Sequence, residues 1–220
     1  MSNYVLKYSR SSEVKYISHL DFVRMFHRTV RRSGLPMSFS QGFNPHPIMT
    51  VAMPLSVGVT SDCEFMKIGF DGEFSETEIK SALNTALPPG FEIKAAKKVE
   101  GKELDFAKLD RAEYIVDVEV SAECNPDLSA FLNNEKILVM KKSKSGVKEA
   151  DIKSYIYSIE ITENTGLLMT FKMTVAAGNL YNLKPETVLE ALSIYQTDFK
   201  PVFISVHRNK ILANNIEYLK

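Results

Sequence analysis

The sequence has few of the features that identify secreted, membrane or metal-binding proteins. Two of its 220 residues are cysteine, Cys63 and Cys124, and neither belongs to a CxxC pair or a Cys/His cluster. This argues against a zinc or iron–sulfur site held by this chain alone, so we predict free thiols, no metal and no cofactor. The first residues lack the apolar segment of a signal peptide, and no apolar run reaches the roughly 18 residues of a membrane span. We therefore expect a cytoplasmic protein without a membrane partner.

A net charge is also lacking, because 27 Lys and Arg residues balance 27 Asp and Glu residues. This balance argues against a chain that coats nucleic acid by its overall charge, although it leaves room for a local basic patch. The fingerprints GxSxG, HExxH, Walker A and Rossmann are missing as well. The hydrophobic share of 45% is that of an ordinary globular protein with a real core. The composition thus indicates a globular protein, and none of these motifs assigns it a catalytic activity.

The first half of the chain alternates between strand and helix patterns. Ser18 and Ser75 each begin a capping box, and Gly34 and Pro88-Pro89-Gly90 provide the stops of the two helices that follow them. Around these helices the apolar pattern predicts strands at Tyr4–Ile17, Ile48–Met53, Cys63–Phe70 and Phe91–Val99. The resulting order is β-α-β-β-α-β, the split βαβ unit.

The second half repeats this order of elements without repeating the sequence. A short helix is predicted from Asn125-Pro126 to Leu132, and a second helix begins at Pro185. The predicted strands are Tyr114–Val120, Ile137–Lys141, Ile152–Ile161, Leu167–Val175, Val202–Val206 and Lys210–Leu212. We therefore predict an α+β protein with two tandem ferredoxin-like (βαββαβ) domains. Residues 1–105 form the N-terminal domain, with a basic helix and the SQGFNPHP loop, and residues 106–220 form a decorated C-terminal domain. A single mixed sheet across both halves is the alternative.

The first helix separates its apolar and basic residues. At 100° per residue, Phe22, Val23, Phe26 and Val30 form the stripe expected to be buried. The arginines fall on the opposite side, and residues 1–60 as a whole contain seven basic against two acidic residues. Arginine forms forked contacts with phosphate and carboxylate, so an anion-binding face competes with a merely solvated one. The arginines of this face are Arg24, Arg28, Arg31 and Arg32.

The segment Ser40–Pro47 has the composition of a stiff recognition loop. Gly42 permits unusual backbone angles, and two prolines flank His46. Its polar groups and its one aromatic ring predict a binding loop, with a structural turn as the alternative. The residues that we expect to contact an RNA or another anion are Gln41, Phe43, Asn44 and His46.

Two further groups are candidates for chemistry. His19, at the start of the first helix, and His46 form a possible acid/base pair, although no spacing establishes it. In the second half, Lys144 and Lys148 lie in a lysine-rich run with a glycine, which suits a phosphate-contacting arm or an ordinary exposed loop.

A long, ordered set of segments resembles the radical-SAM-linked domain family. That family is a domain of unknown function encoded beside, or fused to the end of, a cobalamin-binding-type radical SAM protein. The chain lacks the CxxxCxxC motif of the radical enzyme, so it resembles the companion, and the resemblance implies a radical SAM protein as partner. The matching residues and segments are Tyr16–Asp21, the arginines Arg24, Arg28, Arg31 and Arg32, Leu35-Pro36, Ser40–Pro47, Pro54-Leu55, Val57–Val59, Cys63-Glu64, Lys148–Ile152, Lys184–Glu186 and His207-Arg208.

Three functional hypotheses follow. The first is a non-catalytic module that binds or presents RNA, such as a tRNA or rRNA element, to a radical SAM partner; tandem ferredoxin-like folds also occur in RNA-processing endonucleases and tRNA-modifying enzymes, an analogy of fold alone. The second is a protein–protein adaptor without nucleic acid. The third is an RNA-processing or RNA-modifying enzyme that uses His19 and His46. We rank them in this order.

Overall fold

The computed structural model describes residues 1–100, 105–143, 146–214 and 216–217. These residues have a mixed α/β fold with four α-helices. The chain divides into two compact units whose boundary lies between Phe106 and Ala107.

The first unit contains four strands and two helices. Strand β1 pairs antiparallel with both β3 and β4, and β2 pairs antiparallel with β3, which gives the order β4-β1-β3-β2. The elements are β1 (Ser2–Arg10), α1 (His19–Ser33), β2 (Met49–Val51), β3 (Thr60–Phe70), α2 (Glu76–Ala86) and β4 (Phe91–Val99).

Helix α1 begins and ends where its local sequence predicts. The Ser18 hydroxyl accepts a hydrogen bond from the Asp21 amide at 3.2 Å, and Gly34 ends the helix with a left-handed φ of 77°. Phe22, Phe26 and Val30 are buried in the core of the unit. Because α1 buries this stripe, its arginines are directed to solvent.

The first strand is shorter than its pattern suggests. It ends at Arg10 and is followed by a 3₁₀ turn, Ser12–Val14, so the prediction of a strand as far as Ile17 is wrong. The buried Arg10 guanidinium donates to the carbonyls of Val14 (3.2 Å) and Ile17 (2.8 Å) and lies 5.8 Å from the centre of the Phe22 ring. These bonds satisfy carbonyls that a strand would direct to a neighbour, and they fold the chain back toward α1.

The second unit has the strand order β10-β5-β9-β8, with all neighbours antiparallel, while β6 and β7 form a separate hairpin. The predicted strand at Ile152 in fact begins at Ile156, after a 3₁₀ turn. The elements are β5 (Arg111–Val120), α3 (Leu128–Asn133), β6 (Leu138–Ser143), β7 (Gly146–Asp151), β8 (Ile156–Asn164), β9 (Leu168–Ala176), α4 (Pro185–Tyr195), β10 (Pro201–Ala213) and β11 (Ile216–Glu217).

The two faces of β10-β5-β9-β8 differ in chemistry. One face contributes Val116, Phe171 and Met173 to the core of the unit. The opposite face exposes carboxylates, of which Asp117 and Glu119 lie on the central strand β5. This acidic face, defined by Glu113, Asp117, Glu119, Glu160 and Glu163, also carries Lys172, whose ammonium pairs with Glu113 at 3.6 Å and with Glu160 at 3.7 Å.

The longest described helix is α1, with 15 residues and four arginines. In the part of the chain that the structure describes, no helix combines the length and the hydropathy needed to cross a membrane.

Candidate functional site

Two hydrogen bonds close the loop after α1. The Ser40 amide donates to the His46 carbonyl at 2.8 Å, and the His46 amide donates to the Ser40 hydroxyl at 2.9 Å. Gly42, at the tip, has φ of 123°, a conformation that side chains resist. The loop is therefore held at its ends while its tip is open, and the predicted contact residues Gln41, Phe43, Asn44 and His46 are all exposed there.

The base of this loop is anchored to β3. The Ser38 amide donates to the Gly69 carbonyl at 2.9 Å, and the Ile48 amide donates to the Ser38 carbonyl at 2.8 Å. The buried Ser38 hydroxyl also donates to Asp71. A Cβ on Gly69 would lie 3.3 Å from both Ser38 and Ile48, so glycine permits this close approach. Because its base is anchored by these hydrogen bonds, the loop loses little conformational freedom when it binds a ligand.

Phe43 extends from the loop tip into solvent. Its relative accessibility is 106%, so its side chain is as exposed as in an isolated peptide. A large aromatic side chain normally contributes to stability by leaving water, which Phe43 does not do here. The ring is available for stacking with a ligand.

A cleft of about 280 Å³ lies between the C-terminal half of α1 and the base of the loop. Phe39 and Pro47, which bridge the two arms of the loop, line one side of it. His27 and Arg31 of α1 line the other side. Burial lowers the pKa of His27, because desolvation disfavours the imidazolium. The cleft thus combines a permanent cation with a histidine whose neutral form is favoured by burial.

The four predicted arginines differ in their contacts. Arg24 forms an ion pair with Asp21 at 3.3 Å. Arg32 donates to the Ala86 carbonyl at the end of α2 (2.7 Å) and to the Thr29 hydroxyl (3.2 Å). Arg28 and Arg31 are exposed and have no hydrogen-bond or ion-pair partner among the described residues. These two guanidinium groups are the ones ready to contact an anion.

The structure does not bring the two candidate catalytic histidines together. His19 is the first residue of α1, whereas the base of the loop that carries His46 lies beside Arg31, near the last turn. The 15 residues of α1 extend about 22 Å. The histidine beside the loop base is instead His27, which we did not assign from the sequence. Its position four residues before Arg31, on the same side of the helix, is the signal that could have identified it.

The predicted lysine arm lies in the second unit. Lys144 is outside the described residues, whereas Lys148 is exposed on β7 and pairs across the hairpin with Lys141. Like charges directly opposite each other destabilise a hairpin, and a bound anion would relieve this repulsion. Both cysteines are free, and within the described ranges no three His, Cys, Asp or Glu side chains cluster in a way that could hold a metal ion.

Comparison with solved structures shows similarity of fold. A chain in the crystal structure of a Cbf5-Nop10-Gar1 complex superposes with a TM-score of 0.53 at 10% identity, covering 94% of this chain and 48% of that one. A chain in the structure of an H/ACA RNP bound to a substrate RNA containing 2′-deoxyuridine has a TM-score of 0.49 at 10% identity, covering 94% and 47%. The protein therefore spans about half the length of these chains.

No curated protein matches the sequence. The sequence of residues 3–185, which includes α1, the loop and the hairpin, matches a bacterial family over more than half of the chain. The protein belongs to the family described as "Uncharacterized protein conserved in bacteria (DUF2344)".

Proposed function

We propose that the protein is a non-catalytic companion of a radical SAM enzyme and that it binds RNA through α1 and the Ser40–Pro47 loop. One observation carries this proposal: a fully exposed aromatic ring, Phe43, is held on a closed loop whose base lies beside the unpartnered Arg31. Stacking surfaces together with cationic grooves are the means by which proteins bind single-stranded nucleic acid.

The distribution of charge supports the choice of surface. Residues 1–60 contain an excess of five basic residues in a chain of zero net charge. The acidic face of the second unit has the opposite sign, so phosphates are disfavoured on that face. Because a likeness at 10% identity concerns fold alone, RNA binding is inferred here from the surface.

The loop favours recognition of unpaired RNA. A base stacks on an aromatic ring only when its own face is open, as in single-stranded loops, bulges and ends. Gln41 and Asn44, exposed on either side of Phe43, each offer an amide that both donates and accepts hydrogen bonds. The proposed substrate element is therefore a loop or single strand, with phosphates on Arg28 and Arg31.

The radical SAM partner is inferred from the resemblance of Ser40–Pro47 and its flanking segments to radical-SAM-linked domains. The proposal extends to the architecture: two ferredoxin-like domains, residues 1–105 and 106–220. In both units the last strand lies beside the first, and the first beside the third, as β4-β1-β3-β2 and β10-β5-β9-β8. This is the order expected of a split βαβ fold with a hairpin inserted in its second copy.

A protein–protein adaptor is the second candidate. Phe203 and Leu168 are 53% and 43% exposed and both align with Glu119 on the acidic face. An exposed apolar pair surrounded by carboxylates is a surface to which a partner protein with a basic surface could bind. An enzyme with His19 and His46 as an acid/base pair is the weakest reading, because α1 separates the two.

The deciding experiment is a pull-down of the tagged protein from its own cytosol, followed by identification of the RNA and protein that it retains. We expect RNA retention with the wild type and its loss with the double variant Arg28→Glu/Arg31→Glu. Lys80→Glu, a reversal at an exposed position on α2, is the matched control.

Equal RNA retention by the double variant and the wild type would disprove the RNA proposal. If a protein partner survives nuclease treatment and is lost in high salt while no RNA is found, the adaptor is correct. If neither RNA nor a radical SAM protein is retained by the wild type, the companion role is wrong.

A further inference from the structure

A second cleft, of about 300 Å³, lies wholly within the second unit. It is lined by the start of β5, the start of β8 and the loop that leads from β9 to α4. This volume is at the lower end of the range for small-molecule sites, and it accommodates one planar ring system. The side chains that matter for its chemistry are Asp110, Tyr155, Tyr157, Asn179 and Tyr181.

Aromatic rings dominate one side of the cleft. Tyr155 and Tyr181 stack with their centroids 3.5 Å apart and their planes 5° from parallel. Lys141, from the hairpin strand β6, lies 4.1 Å from the Tyr181 centroid and donates to its hydroxyl. The Arg111 guanidinium covers Tyr157 at 3.9 Å. Each of these contacts limits the freedom of a ring before any ligand arrives.

The loop that contributes Tyr181 is fixed by its backbone. The Ala177 amide donates to the Asp110 carbonyl at 2.8 Å, and Ala177 bridges to Asn182. A Cβ on Gly178 would lie 2.3 Å from the Leu109 carbonyl oxygen, so only glycine fits this contact. The cleft is therefore preformed, and its loop still presents Leu180 at 102% accessibility beside the opening.

One carboxylate lies among these rings. Asp110 Oδ1 accepts from the Asn214 amide at 3.0 Å, and Oδ2 accepts from Arg111 Nε at 3.1 Å. Each carboxylate oxygen has two lone pairs, so each retains one for a ligand. A carboxylate accepts hydrogen bonds from the amino and imino N–H groups on the edge of a nucleobase.

Positive charge lies beside the cleft. Lys141 contacts Tyr181, and Lys148 lies directly opposite Lys141 in the register of the hairpin, so both side chains leave the same face of the hairpin. A phosphate placed near both would relieve their repulsion. A planar ring, a hydrogen-bonding edge and a phosphate are the three parts of a nucleotide.

We propose that this cleft binds a single nucleotide, with the base against the tyrosines and its edge on Asp110. The phosphate contacts Lys141 and Lys148. A free nucleotide and a nucleotide within a single-stranded RNA share this chemistry. The proposal is independent of RNA binding by the first unit, because all the residues named here lie in the second unit.

The test is calorimetric titration of the full chain with the four nucleoside monophosphates, their nucleosides, inorganic phosphate and single-stranded tetranucleotides. We expect binding of at least one nucleoside monophosphate, with weaker binding of its nucleoside. Tyr181→Ala should weaken binding about tenfold, the effect of losing one base-stacking ring, whereas Tyr181→Phe should retain most of the affinity. Tyr16→Ala, at an exposed tyrosine of the first unit, is the control.

Lys141→Gln provides a second variant that leaves every tyrosine in place. It should weaken binding of the nucleotide several-fold and leave binding of the nucleoside unchanged. Far-UV circular dichroism and thermal unfolding verify that each variant is folded. If Tyr181→Ala does not fold, the comparison of Lys141→Gln with the wild type decides whether the cleft binds a nucleotide.

Binding by free mononucleotides identifies a free nucleotide as the source, and binding by tetranucleotides alone identifies an RNA strand; either supports the cleft. The proposal is overturned if no nucleotide binds at millimolar concentration. It is equally overturned if inorganic phosphate binds as tightly as the nucleotides, or if a folded Tyr181→Ala binds like the wild type. If no nucleotide binds and a protein retained by the wild type in a pull-down is lost from a cleft variant, the cleft is a protein-binding site and the proposal is overturned.

Discussion

Ser40 and His46 close their loop by a reciprocal pair of bonds: the Ser40 amide binds the His46 carbonyl, and the His46 amide binds the Ser40 hydroxyl. The second bond depends on a side chain, so it can be removed without altering the backbone bond. Within the part of the chain that the structure describes, the tip residues between them form no comparable hydrogen bond. How well the tip is ordered for binding therefore depends on one hydroxyl.

Replacing Ser40 by alanine should loosen the loop without unfolding the domain. We expect RNA affinity to fall several-fold, because ordering the tip must then be achieved on binding. The free energy of unfolding should fall by about 1 kcal/mol or less, the value of one exposed hydrogen bond. Fluorescence anisotropy measures the RNA affinity, and equilibrium urea unfolding measures the free energy of unfolding, while amide exchange at His46 reports the local opening of the loop. Ser40→Thr retains the hydroxyl and should behave like the wild type; an equal loss with threonine would exclude the hydroxyl as the cause.

Phe43→Ala should separate binding from stability. The ring is fully exposed, so its removal should leave the urea midpoint unchanged. RNA affinity should fall by about 1–3 kcal/mol, the contribution of base–aromatic stacking. Phe43→Tyr keeps a stacking surface and should retain affinity. If the alanine variant binds RNA as tightly as the wild type, Phe43 does not stack on a base.

Arg32→Ala should lower stability and leave RNA affinity nearly unchanged, the reverse of Phe43→Ala. Arg32 donates to the Ala86 carbonyl at 2.7 Å and so ties α1 to the end of α2. Because this bond is exposed, its loss should cost about 0.5–1.5 kcal/mol of unfolding free energy, with little change in RNA affinity. Equilibrium urea unfolding and anisotropy distinguish the two. An affinity loss without a stability loss would place Arg32 on the binding face, beside Arg28 and Arg31.

His27 should make stability depend on pH in a defined direction. Burial lowers its pKa in the folded state, so the unfolded chain binds the proton more tightly. The free energy of unfolding should therefore rise with pH up to the ordinary histidine pKa and level off above it. Urea unfolding between about pH 5 and 8 measures this slope, which lies below the unperturbed value of about 6.5. His27→Gln should flatten it, and an unchanged slope would assign the effect to other groups.

Binding of RNA should favour the protonated form of His27, whereas burial in the free protein favours the neutral form. A phosphate in the cleft beside Arg31 favours the imidazolium, so RNA should bind more tightly at pH 6 than at pH 8. His46, on the loop beside the cleft, is the other histidine of the proposed binding surface, and His46→Gln is the control. If the pH dependence of affinity survives in His27→Gln and disappears in His46→Gln, the anion lies at the loop and not in the cleft.

Sequence reasoning was most accurate where structure is determined by neighbours in the chain. Ser18 and Gly34 define α1 through contacts within one turn, so the helix and its solvent-facing arginines were predictable. The burial of Phe22 and Phe26 follows from their spacing alone. Local capping and hydrophobic periodicity need no knowledge of the rest of the fold.

The features that were missed depend on distant partners. The early end of β1 follows from the side chain of Arg10, which folds over and binds carbonyls that its spacing does not reveal. The cleft between His27 and Pro47 exists because the loop is anchored on Gly69 of β3, more than twenty residues away in the sequence. Similarly, no pattern indicates that Arg32 would be engaged by α2 while Arg31 would not. Such contacts are properties of packing and not of periodicity.

The full exposure of Phe43 bears on how the family can vary. Selection for folding cannot maintain an aromatic residue whose ring touches nothing, since almost any residue there gives an equally stable domain. Relatives that keep an aromatic residue at this position would therefore record selection for a contact made outside the molecule. Relatives that lack the aromatic residue but keep Ser38 and Gly69 would have retained the anchored loop and lost the binding of the ligand.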